Sequence, residues 1–305
     1  MPWIESSGIT TAGELTLYNR PFDNNLNEAI VSAVWESSVD QVSQLTITLD
    51  DPNFTILANG AFTQRAPVGL NGYQLIVSAV ETNDGSGLGG LTISCRPNAI
   101  DKLKQLRGAK VRKKVSPSTF VGSECAAAGV AIGDIQPTPK RPKVSRDVAK
   151  KGEHYDRESY PSAWTTITRL ADELGYLAYE SGNRIYFGQP TYLSSRLPSF
   201  EVQWSNASGA TSRETQLNPV CRRSVDSEDT EVELNIPLVH AGEAQIGSRL
   251  QLNGFPSFSG EYLLRSVSYP VVGTGWYTIT GSTMRNPHPS GDPDAKKKKK
   301  KRRKK

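Results

Sequence analysis

Two stretches near opposite ends of this 305-residue chain present the same succession of strand and turn signals, and that repetition constrains the fold more than any other feature. The first runs LTITLDDP (45–52), a turn at Asn71-Gly72, YQLIVSAV (73–80), a loop from Asn83 to Gly90, and LTISCRP (91–97). The second runs EVELNIP (231–237), LQLNG (250–254), GEYLLRSVSY (260–269), a Gly-containing loop, and WYTITGSTMRNP (276–287). Leu45, Ile47 and Leu49 alternate with polar residues, as do Val232, Leu234 and Ile236. A period of two turns one face of each strand to a core and the other to solvent. The closing Arg-Pro and Arg-Asn-Pro also agree. Two unrelated barrels of similar build would give the same pattern; a duplicated barrel accounts for the shared order as well.

Residues between the copies are of another kind. In WTTITRLADELGYLAYESGNRIYFG (164–188), Trp164, Ile167, Leu170, Ala171 and Leu174 recur at steps of three and four, the spacing of a helix face. Ser162 is placed to cap its start, and Gly175 to close its end in a left-handed conformation. Tyr176–Tyr179 and Arg184–Phe187 then read as a hairpin around Ser181-Gly182-Asn183. A second, shorter helix is expected after Ser116-Pro117, ending near Gly129, because proline suits the first helical position. A basic, Pro-rich loop is expected from Pro137 to Lys151. The aromatic residues of the helix–hairpin unit read as core and hairpin-face residues, with no cofactor box among them. The fold class expected is mainly β with an α/β insertion. Two small antiparallel β-barrels, residues 1–99 and 195–286, flank a mixed α/β module at 100–194, and a disordered linker and polybasic tail occupy 287–305.

The charge is divided unevenly. The chain has 36 Lys+Arg against 31 Asp+Glu, but Lys296, Lys297, Lys298, Lys299, Lys300, Lys301, Arg302, Arg303, Lys304 and Lys305 form one unbroken run. Without those ten the remainder holds 26 cations against 31 carboxylates, a body near −5. The run is thus the candidate polyanion-binding element, able to attract phosphate at low salt. It has no interleaved aromatics, so base stacking is not offered. A solvated tail that aids solubility or assembly is the plain alternative.

Catalytic chemistry finds little footing. The cysteines Cys95, Cys125 and Cys221 are odd in number and far apart, against a disulfide framework or a Cys-type zinc site. His154, His240 and His288 show no metal-ligand spacing. No nucleophile elbow occurs, and Gly85–Gly90 lacks the Lys-Ser/Thr of a phosphate loop. The acidic pairs Asp50-Asp51 and Glu228-Asp229 read as solvated turns. Catalytic, metal-binding and cofactor-binding residues are each expected to be none. Nothing near Met1–Glu5 reads as a secretory leader, and no stretch is apolar enough to span a bilayer, so no membrane span is expected. The glycosylation triplets at Asn53 and Asn206 are therefore read as chance.

Five segments in order resemble the tail hub (baseplate hub) proteins of long-tailed bacteriophages, the family that includes the late control protein D type. They are LTITLDDPNF (45–54), GYQLIVSAVE (72–81), SPSTFVGSECAAAG (116–129), the helix–hairpin 164–188 and FSGEYLLRSVSYPVVGTGWYTITGSTMRNP (258–287). The resemblance implies a non-enzymatic structural protein of the virion tail tip, assembled in the host cytoplasm. It implies a homotrimer whose two barrels per subunit make a ring of six, capping the sixfold tail tube and adapting it to a threefold tip. Its partners would be further copies of itself, the tail tube or distal tail protein, the tape-measure protein and tail-tip spike or fibre proteins. DNA or an anionic cell-wall polymer would be the partner of the basic tail. The alternative is a virion-associated wall-degrading or accessory tail-tip protein on the same scaffold.

Overall fold

In a computed structural model, residues 5–6, 9–10, 14–83, 90–146, 160–203, 220–223, 230–238, 243–255, 257–272 and 276–284 are described. The chain begins with four short strands, β1 (Glu5–Ser6), β2 (Ile9–Thr10), β3 (Leu15–Leu17) and β4 (Arg20–Pro21). Helix α1 (Asn24–Ala29) follows, its first turn capped by the Asp23 carboxylate, which accepts the Leu26 N–H at 2.8 Å. Then come β5 (Ile30–Ser38), β6 (Gln44–Asp50), the single turn α2 (Thr55–Ala58), β7 (Pro67–Leu70), β8 (Tyr73–Asn83) and β9 (Gly90–Pro97).

Alternation is what fixes these strands. Leu45, Ile47 and Leu49 of β6 are fully buried and lie opposite Cys95, Ile93 and Leu91 of β9. The intervening Thr46 and Thr48 lie opposite Ser94 and Thr92 on the other face. A one-residue slip would expose the whole apolar set, so the register is strongly specified. The expected turn at Asn71-Gly72 joins β7 to β8, with φ of 49° and 84° at its two residues, the positive values a two-residue hairpin needs.

The middle of the chain holds α3 (Asn98–Gln105), β10 (Val111–Val115), α4 (Pro117–Ala128), β11 (Ala131–Ile135), β12 (Arg141–Ser145), α5 (Ala163–Leu174), β13 (Leu177–Ser181), β14 (Arg184–Gly188) and α6 (Pro190–Ser194). Ser116 and Ser162 cap α4 and α5 by accepting the N–H of Thr119 and Thr165, each at 3.1 Å. Gly129 (φ 63°) and Gly175 (φ 65°) close them. A second apolar cluster, built on Ile100, Leu103, Phe120, Ile167, Ile185 and Phe187, joins these elements. Helix α3 has a buried face, Ala99, Ile100 and Leu103, on the second cluster. One expectation needs correction. The expected loop from Pro137 to Lys151 contains β12, which pairs with β10; Arg146 just beyond it is only 5% exposed.

The last third comprises β15 (Phe200–Gln203), β16 (Val220–Arg223), β17 (Thr230–Pro237), β18 (Arg249–Asn253), β19 (Gly260–Pro270) and β20 (Trp276–Thr283). Val232, Leu234 and Ile236 of β17 are buried opposite Gly281, Ile279 and Tyr277 of β20. Gly281 is small for a reason: a Cβ there would lie 2.7 Å from Leu250 Cδ2 and 3.0 Å from Val232 Cγ2.

The pairing orders of the two β regions are the same. The first reads β5-β6-β9-β8-β7-β3, and the second β16-β17-β20-β19-β18-β15. One difference is the outermost pair: β3 runs antiparallel to β7, whereas β15 runs parallel to β18. The regions do not stand as separate sheets. β5 pairs antiparallel with the second half of β19, Ser38↔Ser266 through Val34↔Pro270, so one 13-stranded curled sheet and one apolar cluster run through both. The architecture is mainly β, with most helices gathered in the middle segment.

Candidate functional site

The sequence-derived sites divide as follows. The basic run Lys296–Lys305, the three histidines His154, His240 and His288, the pair Glu228-Asp229, the loop 84–89 and the closing Arg-Asn-Pro 285–287 all lie outside the described residues. Asp51, expected in a solvated turn, is 2% exposed: its carboxylate accepts the N–H of Ile56 (3.2 Å) and Leu57 (3.1 Å) at the start of α2. Capping employs it fully; Asp50 beside it is exposed. Of the basic loop, Arg141 pairs with Glu173 at 2.6 Å, and Arg146 lies 3.3 Å from the fully buried Glu124, which Lys110 also contacts at 2.6 Å. Those cations are engaged within the fold.

Cys95 and Cys125 are buried, and burial pushes both thiols up to about 12, far from the reactive thiolate range. Among the described residues no three His, Cys, Asp or Glu side chains are grouped as metal ligands, and no helix is long and apolar enough to cross a membrane.

What the sheet does present is a continuous polar face. Thr46, Thr48, Thr92 and Ser94 in the first half, and Ser266, Ser268, Thr278 and Thr280 in the second, point away from the apolar core of alternating residues. Their hydroxyls bond to one another and to short amides. Ser266 and Thr280 are 2.6 Å apart, Thr278 donates to Asn235 Oδ1 at 2.9 Å, and Gln44 Nε2 donates to Thr46 at 3.2 Å. Where β16, β17, β20 and β19 meet the end of β5, this face hollows into a groove of about 260 Å³ bounded by Ser38, Glu231, Glu233, Arg222, Arg265 and Thr280. The groove is lined mainly by polar and charged side chains.

A second feature sits where the middle segment meets the sheet. The turn Gly182-Asn183 has φ of 61° and 63°, and it locks onto the turn Asn71-Gly72. Asn183 Oδ1 accepts the Gln74 N–H at 2.9 Å, Asn183 Nδ2 donates to the Gly72 carbonyl at 3.1 Å, and the Gly182 N–H donates to Tyr73 Oη at 3.0 Å. Under this contact lies Glu180, 3% exposed, which accepts the Asn183 N–H at 2.6 Å. Burial pushes its carboxyl up to about 7, although the Asn183 bond opposes the rise.

The third feature is open strand edge. Among the described residues, no strand pairs with the outer edge of β16 or with the outer edge of residues 79–83 in β8. Strands at 73–80 and 260–269 were legible in the sequence, but β8 runs on to Asn83, and which edges stay open depends on pairing that periodicity does not encode.

No family model matches the sequence, and no curated protein matches it. Solved structures do. A 43 kDa tail protein of prophage MuSo2 from Shewanella oneidensis has a TM-score of 0.60 at 9% identity, with 90% of this chain and 97% of that one covered. A tail protein of Neisseria meningitidis gives 0.59 at 11% identity, covering 90% and 98%. An Escherichia coli component of the type VI secretion system, described as similar in structure to phage T4 tail proteins, gives 0.58 at 10% identity, covering 89% and 77%. The chain has the fold of phage and prophage tail proteins, as its resemblance to tail hubs implied.

Proposed function

We propose that this protein is the structural hub of a phage tail: a trimer whose six β units form a ring that caps the tail tube and adapts its sixfold symmetry to a threefold tip. The observation that carries the reading is the repeated pairing order, β5-β6-β9-β8-β7 and β16-β17-β20-β19-β18, joined side by side in one sheet. Two like units set edge to edge are what a threefold ring needs to present six repeats to a sixfold partner. In this reading each half is a tube-like barrel, residues 1–99 and 195–286, and the segment 100–194 is a buttress without chemistry. The helix–hairpin contributes packing, and its turn at Asn183 anchors it to the sheet.

The hydroxyl-lined face would bound the channel. Short Ser and Thr side chains bonded to one another leave few cations for a passing nucleic acid or tape-measure protein to grip. The tail tube and the tail-tip spike or fibre proteins would meet the two rims. The polybasic segment would bind a polyanion, DNA or an anionic wall polymer, and three tails on one trimer would raise its avidity. The role is non-enzymatic, in a virion tail assembled in the host cytoplasm. Sedimentation of the purified chain together with imaging of the tail tip tests this reading. A threefold ring is expected, and a single copy in an assembled tip would overturn it.

A further inference from the structure

The two halves share a type of joint that the chain closes only once. β19 holds β20 on one edge and divides its other edge between β18, at residues 260–263, and β5, at residues 266–270. β8 is built alike: β9 covers one edge, β7 takes the first part of the other, and beyond the bulge at Ser78 that edge is bare among the described residues. The counterpart of β5 is β16, since β5 flanks β6 and β16 flanks β17 at the same place in the two pairing orders, and among the described residues the outer edge of β16 is also bare. Bare edges offer rows of unsatisfied N–H and C=O groups, which proteins ordinarily cover. We propose that these two edges pair with each other between copies of this chain, Val80–Asn83 of one with Val220–Arg223 of the next, repeating the β19–β5 joint. The proposal rests on the ring reading above and supplies its contact between subunits.

The register follows from the bulges. The β8–β9 ladder skips between Val77↔Cys95 and Ala79↔Ser94, and the β19–β20 ladder skips between Leu264↔Gly281 and Ser266↔Thr280. Ala79 therefore corresponds to Ser266, and Glu81 to Ser268. On the other side, Trp35 lies opposite Leu45, and Cys221 opposite Val232, where Leu45 and Val232 in turn lie opposite Cys95 and Gly281. Trp35 thus corresponds to Cys221, and Glu36 to Arg222. Within the chain Ser268 lies opposite Glu36. Between chains the same register sets Glu81 opposite Arg222, an acid facing a base in a directly opposed pair, and both residues are exposed in the single chain. The contact is head to tail, so it closes only in a ring or extends as a filament. Three copies place six such units in a circle.

The test uses the full chain carrying Glu81→Cys and Arg222→Cys, oxidised and run without reductant. Directly opposed Cβ atoms fall within disulfide reach. A ladder of linked chains ending at three is expected. A parallel set reads charge: E81R and R222E should each weaken self-association by about tenfold, and the double exchange E81R/R222E should restore it. A trimer that neither cross-links nor responds to the charge exchange overturns this joint and leaves the hub reading standing. A chain that stays monomeric and does not cross-link overturns both. A ladder running past three supports the joint and contradicts the closed trimer.

Discussion

Arg65 and Gly247 occupy the same place in the two halves of the molecule. Both have positive φ, 67° and 79°, and both donate their N–H to corresponding strands, Arg65 to the Val77 carbonyl of β8 at 2.9 Å and Gly247 to the Leu264 carbonyl of β19 at 2.8 Å. The residues after them, Ala66 and Ser248, accept the N–H of Val77 at 3.0 Å and of Leu264 at 2.9 Å. The same strained corner thus leads into β7 and β18, yet one half uses glycine and the other arginine.

The difference yields an asymmetric pair of outcomes. A Cβ at Gly247 would lie 1.9 Å from Tyr179 Oη and 2.4 Å from its Cζ, and Tyr179 is 1% exposed. Gly247→Ala should therefore destabilise the fold by about 3 kcal/mol, overpacking and backbone strain acting together. Arg65→Gly relieves about 1 kcal/mol of left-handed strain. It also gives up the half-exposed contact with Asp101 at 3.6 Å, and such contacts are worth about 1 kcal/mol at most, so little net change is expected. Denaturant titration of both variants checks the contrast.

Tyr179 Oη is buried without a hydrogen-bond partner among the described residues. Tyr179→Phe should thus be neutral or stabilising by up to about 1 kcal/mol, because no bond is lost and a desolvated hydroxyl is removed. A loss above about 2 kcal/mol in the same titration would show that the hydroxyl is satisfied in solution.

Glu180 makes stability depend on pH. Its folded carboxyl titrates near 7, above the usual range, so between about pH 4.5 and 7 the folded state holds a proton that the unfolded chain has released. Stability from this group is fully present below the unfolded value and falls as pH rises through the folded one. Glu180→Gln keeps an acceptor for the Asn183 N–H, so it should raise the melting temperature at pH 8, leave it unchanged near pH 4, and flatten the slope between. Thermal melts across that range decide it.

Deleting residues 288–305 should leave the melting temperature and self-association unchanged and abolish salt-sensitive binding to DNA. The deleted segment carries the ten-residue basic run, whereas Arg141 and Arg146 are already paired with Glu173 and Glu124. Binding to a polyanion measured at 50 mM and 200 mM salt, with and without the segment, tests this (both concentrations being of the order at which phosphate contacts differ strongly).

Much of this fold could be read from the residues alone, for a physical reason. Strict alternation at Leu45, Ile47 and Leu49, or a Ser-Pro start and Gly end around 116–129, reports local burial and local backbone geometry, which short-range pattern encodes. The α3 helix escaped because only three of its residues, Ala99, Ile100 and Leu103, carry the apolar face, in a window of eight. The union of the halves through β5 and β19 escaped for a different reason. Ser38 and Ser266 are far apart in sequence, and no turn between them sets their register. Asp51 read as a solvated turn because capping and exposure favour the same residue type.

The central claim is that this chain is the threefold component of a ring of six β units. Mass measurement by light scattering on the purified full chain, joined to class averages by electron microscopy, addresses it directly. The account predicts a particle near 100 kDa, three times the 33.3 kDa of one chain, appearing as a ring with threefold symmetry and six similar lobes. A 33.3 kDa species at every concentration, or a ring built from six chains, would contradict it.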